Sequence, residues 1–201
     1  MAMLLFGGLA QPARAGGLEA VGFKLEQTIK EYFPRRHSVS FLPDGRLAVT
    51  EQAQIVVYDL SKGPTAQFKF QLSDMYKMVH APVGSYLAAS DGTDLIRIWD
   101  STTGQLVREV RQKTLNFTGI AFMPNGEDLI FFAQDPNRWV ILNIPSGART
   151  DLPMTNTAEA IAVSPDGRQL AMCSSSLYVY DIASGSKTWE HNWGGADSVE
   201  F

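Results

Sequence analysis

The side chains best suited to chemistry in this chain are its three histidines, His37, His80 and His191. A protein metal site needs three or four ligands around one ion, and no local spacing of His, Cys, Asp or Glu in this sequence supplies them. The sequence therefore predicts no metal site, and the histidines are interpreted as exposed or hydrogen-bonded residues.

The single cysteine and a run of serines are the candidate nucleophiles. Cys173 has no basic neighbour in the sequence that would favour its thiolate, and Ser174–Ser176 lacks the Gly-x-Ser-x-Gly elbow of a nucleophilic serine. No glycine-rich segment has the strand–loop–helix context of a phosphate site. Asp44, Asn125 and Asp166 occupy turn corners. We therefore predict no catalytic residue, no cofactor and no enzyme activity.

The elements that position these residues follow from an internal repeat. Four segments share x-Pro-x-Gly followed by leucine, and three of them open on an apolar residue: FLPDGRL from Phe41, HAPVGSYL from His80, FMPNGEDL from Phe122 and VSPDGRQL from Val163. Their prolines are 39, 42 and 41 residues apart. A second marker (VYD, IWD, LN and VYD) follows each turn with a similar period. Two landmarks with one period of about 40 residues indicate a repeat architecture.

Each landmark has a physical reason that favours β-structure. Proline presets φ at the first corner of a turn, and glycine takes the left-handed position that closes a hairpin. The flanking segments Ile55–Tyr58 and Leu95–Trp99 are rich in the β-branched and aromatic residues of strands. Each repeat is predicted to form four short strands, a to d. In the second repeat they cover about 75–80, 86–90, 95–100 and 105–110.

The predicted fold is all-β. One four-stranded sheet cannot bury both of its faces alone, but sheets stacked around an axis as the antiparallel blades of a β-propeller can. The repeats are placed at about 37–71, 75–110, 117–152 and 158–190, with lone strands over 21–29 and 197–201. We expect about four blades plus strands of a fifth, an incomplete ring, in a fragment of a longer propeller. Pairing of two chains through open blade edges is the less favoured alternative.

The second repeat resembles a WD repeat of the β-propeller family. Over Leu87–Leu106, Trp99-Asp100 stands at the WD dipeptide, and Ser101–Gly104 resembles the turn into strand d. The fourth repeat is similar over Ser164–Gly185. The resemblance covers about 37–201 and implies a propeller that holds other proteins together.

Two repeats depart from the family pattern. Tyr58 and Leu142 stand where tryptophan would be, and Asn143 replaces the aspartate. The Gly-His pair that often opens such repeats is absent from the sequence. The departures concern the subfamily rather than the predicted architecture.

The resemblance implies that the d–a and b–c connections form the face that meets partners. The d–a connections are mainly basic and the b–c connections mainly acidic, and this mixture suits protein partners better than nucleic-acid phosphates. The net charge of −4 likewise gives no reason to expect nucleic-acid binding. The candidate partner-binding residues are Arg35, Arg36, Lys77, Arg111, Lys113, Asp135, Arg138, His191 and Trp193.

The N-terminus is interpreted separately from the repeats. Met1–Ala15 combines an apolar run with Ala-x-Ala, which resembles an export signal, so residues 1–20 are expected to be a signal peptide or an unstructured leader. Export would place the protein in the periplasm or outside the cell, and otherwise it would be cytoplasmic. No segment approaches the ~20 apolar residues of a membrane span.

The preferred functional hypothesis is a non-enzymatic protein–protein interaction scaffold of the WD-repeat type. One alternative is an exported bacterial propeller, quinoprotein-like or Tol-system-like, with a ligand or redox-cofactor site at its central channel. Another is an accessory propeller domain of a larger enzyme. The sequence names no partner.

Overall fold

The computed structural model describes residues 3–7, 24–29, 38–51, 54–62, 65–71, 77–91, 94–113, 119–192 and 199–201. For 3–7, 24–29, 51, 62 and 65–71 it describes the backbone alone. Within these ranges every regular element is a β-strand except the short 3-10 helix Leu60–Lys62. No helix in the described ranges is long and apolar enough to cross a membrane. The prediction of an all-β fold is confirmed.

The repeats form four antiparallel sheets, each a meander of four strands in chain order. Blade 1 consists of β3 (Val39–Phe41), β4 (Leu47–Glu51), β5 (Gln54–Asp59) and β6 (Thr65–Gln71). Blade 2 consists of β7 (Lys77–His80), β8 (Tyr86–Ser90), β9 (Leu95–Asp100) and β10 (Leu106–Arg111). Blade 3 consists of β11 (Ile120–Phe122), β12 (Asp128–Gln134), β13 (Asn137–Asn143) and β14 (Arg149–Leu152). Blade 4 consists of β15 (Ala160–Val163), β16 (Gln169–Cys173), β17 (Ser176–Asp181) and β18 (Lys187–Asn192).

The four sheets are blades of an incomplete β-propeller. The first strand of each blade is its inner strand, and β11 lies beside both β7 and β15. The predicted strands of the second repeat match β7 to β10 within two residues at each end. The predicted turns are also present, because Gly45, Gly84, Gly126 and Gly167 all have left-handed φ angles, +84°, +82°, +71° and +73°.

Apolar clusters between neighbouring blades hold the array together. Successive side chains of a strand point to opposite faces, so one face of a blade contacts the preceding blade and the other contacts the next. In β12, Leu129 and Phe131 pack toward blade 2, whereas Ile130 and Phe132 pack toward blade 4. All four side chains are buried, and burial of each contributes roughly 1.5–3 kcal/mol. The uninterrupted apolar run of β12 is thus explained by the burial of both faces.

The N-terminal segment differs from the expectation. Strand β2 (Lys24–Ile29) falls within the predicted strand 21–29, but it is not a lone strand. It pairs antiparallel with β1 (Met3–Gly7), so that Met3 lies opposite Ile29 and Gly7 opposite Lys24. An unpaired strand edge exposes backbone N–H and C=O groups, and the apolar N-terminal run, interpreted above as part of a signal peptide, satisfies part of this edge. Residues 8–23 and 30–37 lie outside the described residues.

The C-terminal strand predicted over 197–201 is covered in part. Val199–Phe201 has no strand pairing among the described residues, and 193–198 lie outside them. Val199, Glu200 and Phe201 nevertheless line the same cavity as β7, β11 and β15. The segment is therefore placed beside the inner strands, where the first strand of a fifth blade would lie, without the pairing that defines a strand.

Two turn glycines separate the effect of backbone strain from the effect of crowding. A Cβ at Gly126 would clash with the carbonyl oxygen of Val83 in the neighbouring blade, whereas a Cβ at Gly45 would meet nothing within 4 Å. Both glycines have left-handed φ, which costs other residues roughly 1–2 kcal/mol. Urea unfolding should show this loss for Gly45→Ala and a larger loss for Gly126→Ala. Equal losses would contradict the inter-blade contact at Gly126.

Candidate binding face

Each blade presents two edges of different character. The turn face carries the a–b turns (such as 81–85) and the c–d turns (such as 101–105). The connection face carries the b–c hairpins (such as 135–136) and the d–a connections (such as 153–159). Because every blade is a four-stranded meander, each kind of loop stays on its own face along the whole array.

On the turn face, the second sequence marker forms a hydrogen-bonded corner. At the end of β9, Asp100 Oδ1 accepts the backbone N–H groups of Thr102 and Thr103 at 2.8 and 2.9 Å. Its Oδ2 accepts the Ser85 hydroxyl at 2.8 Å, which joins the c–d turn to the a–b turn. The carboxylate therefore organises both turns of blade 2.

The same corner recurs in the other blades. Asp181 Oδ1 accepts the Ser184 N–H at 2.8 Å, and Asp59 Oδ1 accepts the Ser61 N–H at 3.0 Å. Gly104, Gly147 and Gly185 close the three c–d turns of blades 2 to 4 in left-handed conformations. The repeated aspartate is thus a turn-forming residue.

Asn143, which departs from the family pattern, fits its own surroundings. Its Oδ1 accepts the Ser146 N–H at 3.1 Å, as an aspartate would. Its Nδ2 donates to Asp128 Oδ1 at 2.8 Å across the b–c strand pair. An aspartate at 143 would oppose a second carboxylate. The amide of Asn143 keeps the turn contact and donates a hydrogen bond to Asp128 where two carboxylates would repel each other.

The hydrogen bonds of the turn face also affect its carboxyl groups. Burial opposes ionisation of Asp100, but the hydrogen bonds from Thr103, Ser85 and Thr102 outweigh it and hold the pKa below its ordinary value of 3.8. The Ser184 hydroxyl and N–H likewise lower the pKa of Asp181.

The a–b turn carboxylates behave similarly. The hydroxyl of Ser164 lowers the pKa of Asp166, and the Arg46 guanidinium lowers that of Asp44. These carboxylates are ionised, and their oxygens are used by the turns.

On the connection face, backbone hydrogen bonds fix the loops while charged side chains stay exposed. The Gln112 N–H donates to the Asp94 carbonyl at 2.7 Å, and the Gln134 N–H donates to the Lys113 carbonyl at 2.8 Å. The second bond ties the connection after blade 2 to strand b of blade 3. Asp135 follows Gln134 directly, so a cationic and an anionic residue stand next to each other on a fixed backbone.

The connection after blade 3 is held by a buried tryptophan. Trp139 Nε1 donates to the Asn156 carbonyl at 2.9 Å, and the Glu159 N–H donates to the Cys173 carbonyl at 2.8 Å. Trp139 is fully buried and packs edge-on against Phe132 at 5.3 Å between ring centroids. Its indole therefore joins the blade core to the loop above it.

Of the nine predicted partner-binding residues, Lys113 and Asp135 lie in connections of the connection face. Both side chains are exposed, and neither forms an ion pair with another described residue. Arg35, Arg36 and Trp193 lie outside the described residues.

Three other predicted residues are engaged within their own blades. Arg111 pairs with Glu109 at 2.9 Å, and Arg138 pairs with Asp151 at 2.9 Å. His191 lies in β18 and stacks on Trp189 at 5.7 Å between ring centroids. These contacts stabilise outer strands, and the side chains are less available for a partner than loop position alone predicts.

Lys77 lies in an inner strand, within the strand predicted over 75–80. As a candidate partner-binding residue it is expected in a d–a connection, whereas it is the first residue of β7 and lies opposite Ser90 in the sheet. It is half-buried and lines the cavity between the inner strands. A lysine at the start of an apolar inner strand was the available signal.

The candidate nucleophiles and the core residues are placed as expected. Cys173 is buried in strand b, and the Ser174 N–H donates to the Ser176 carbonyl at 3.0 Å in a b–c hairpin. Trp99 and Tyr180 are buried between blades. His80 lies in β7, as predicted, while His37 lies outside the described residues.

No group of three or more His, Cys, Asp or Glu residues within the described part of the chain could hold a metal ion.

Comparison of the chain with protein-family models gives no match, and comparison with curated proteins gives none either.

Replacing Asn143 tests the corner of blade 3. Asn143→Asp restores the residue of the other repeats, yet it should destabilise the protein at neutral pH by roughly 1–3 kcal/mol, because a hydrogen bond between partly buried groups is lost and two carboxylates meet. Urea unfolding measures the loss. Adding Asp128→Asn should recover most of it, and a double variant no more stable than Asn143→Asp would contradict the proposed pairing.

The lowered carboxyl pKa values predict acid sensitivity. Groups whose pKa is lower in the folded than in the unfolded state contribute stability above the unfolded value, and this is lost as pH falls through the folded value. For Asp44, Asp100, Asp166 and Asp181 the ordinary value is 3.8, so the urea midpoint should decrease as pH falls below about 4. Asp100→Ala should reduce this decrease, and a midpoint that rises on acidification would be inconsistent with the turn contacts.

Proposed function

We propose that this protein is a non-enzymatic interaction platform of the WD-repeat type, which binds other proteins through its connection face. The observation that carries the proposal is the pair Lys113 and Asp135. Both side chains are exposed, and the hydrogen bond from the Gln134 N–H to the Lys113 carbonyl joins the backbone at Lys113 to the backbone beside Asp135.

A fixed backbone favours binding for an energetic reason. Association costs free energy when loops and side chains must be ordered at the interface, and a loop already held by hydrogen bonds costs less. The bonds from Gln112 to Asp94 and from Trp139 to Asn156 extend this support across blades 2 and 3. The connection face is therefore a pre-organised surface on a packed core.

The charge pattern indicates the chemistry of the partner. Lys113 is cationic, while Asp94, Asp135 and Glu159 are exposed and anionic. A surface with both signs is complementary to another mixed-charge protein surface, and such complementarity gives specificity and faster association. A polyanion such as nucleic acid would meet repulsion at Asp94, Asp135 and Glu159.

The WD-repeat assignment is supported by the roles of the marker residues. Trp99 is buried between blades 1 and 2, and Asp100 joins the two turns of its blade. These are structural tasks, so the resemblance at these positions supports the architecture, and partner recognition is assigned to the loops.

Reversing the two charges tests the proposal. The full chain is used as bait in a cell extract, and each retained partner is then measured with the purified proteins. Lys113→Glu combined with Asp135→Lys should weaken binding at least about fivefold, since both charges then face the partner with the wrong sign. The far-ultraviolet circular dichroism of the variant should be unchanged because both side chains are exposed.

A matched control reverses two exposed charges on the turn face, Glu127→Lys with Arg168→Glu. This control should retain the partners of the unmodified chain. The proposal is rejected if the unmodified chain retains no protein, if the connection-face variant binds normally, or if the control loses the same partners to the same extent.

A further inference from the structure

The inner strands of the blades line a groove that the proposed partner face does not use. Its volume is about 660 Å³, within the usual range for sites that bind small organic molecules. The walls are mainly small or apolar side chains from β7, β11 and β15, among them Val79, Phe122, Ala160 and Ala162, with Val199 and Phe201 beside them. Such a lining favours the apolar body of a ligand.

Lys77 places a positive charge at one end of this groove. As the first residue of β7 it stands where the inner strand leaves the connection face. Its ammonium has no ion-pair partner among the described residues, and burial lowers the pKa of its amine. A desolvated cation without a counter-charge is stabilised by any anion that reaches it.

Three other polar side chains line the groove. His80 is three residues further along β7, about 10 Å away at the usual rise of a strand, and its Nδ1 lies 3.0 Å from the Ala81 carbonyl. Ser40 is neutral, and Glu200 is exposed. The Nδ1–H of His80 donates to the Ala81 carbonyl. Lys77 is therefore the side chain suited to an anion at the connection-face end.

We propose that the groove binds a small organic monocarboxylate, with the carboxylate on the Lys77 ammonium and the apolar body along β11 and β15. This binding site goes beyond protein recognition by the connection-face loops. A free organic acid and the C-terminus of an apolar peptide offer the same chemistry, so both are probed.

The test is isothermal titration calorimetry of the full chain with octanoate. Octanol serves as the uncharged analogue, and an N-terminally acetylated tri-leucine peptide serves as the second carboxylate source. Octanoate or the peptide should bind, and octanol should bind at least about tenfold more weakly, since a charge-assisted hydrogen bond is lost. The tighter of the two carboxylates identifies the source. In NMR titrations the pKa of the Lys77 amine should rise when the carboxylate is added.

Variants separate the site from general surface charge. Lys77→Met should weaken carboxylate binding at least about tenfold, and Lys77→Arg should retain most of it. The matched control, Lys187→Met, removes an exposed lysine of β18 outside the groove and should leave binding unchanged. The proposal is overturned if neither carboxylate binds, if octanol binds as well as octanoate, if Lys77→Met binds normally, or if Lys187→Met loses as much affinity.

Discussion

The structure depends on one constraint, which is that a blade has two apolar faces and cannot cover either of them by itself. Strand β12 shows it directly, since Leu129 and Phe131 need blade 2 while Ile130 and Phe132 need blade 4. The hydrophobic contribution of each blade is therefore realised only between blades. A 40-residue period, short hairpins and alternating apolar strands are the sequence features that allow this stacking.

Because both faces of a blade are apolar, its polar groups lie at the two edges, where they have different roles. On the turn face, side-chain oxygens accept hydrogen bonds from local backbone N–H groups, as at Asp100, Asn143 and Asp181. On the connection face, main-chain bonds hold the loops, and side chains such as Lys113 and Asp135 remain exposed. One edge shapes the blade, and the other keeps exposed side chains beside buried ones such as Met154 and Ala158.

The sequence predicts features that depend on neighbouring residues and misses those that depend on distant ones. The four Pro-x-Gly turns and the strands of blade 2 were predictable because turn geometry is set within a few residues. The pairing of β1 with β2 was not, because it joins segments some 20 residues apart through backbone bonds. In the sequence, Asn143 looks like a departure from the repeat marker. Its hydrogen bond to Asp128 becomes evident only from the strand pairing. The position of Lys77 likewise depends on three inner strands from different repeats.

An even number of strands per blade explains why the candidate sites share one end of the molecule. With four strands, the b–c hairpin, the d–a connection and the first residue of the next inner strand all fall on the same edge. Lys113 and Asp135 therefore lie on the same face as Lys77, which lines the groove. A three-stranded unit would alternate its loops between the two faces and scatter these groups. The grouping of Lys77, Lys113 and Asp135 on one face is therefore a consequence of blade topology, and substitutions at the exposed Lys113 and Asp135 can change its charge without touching the inter-blade core.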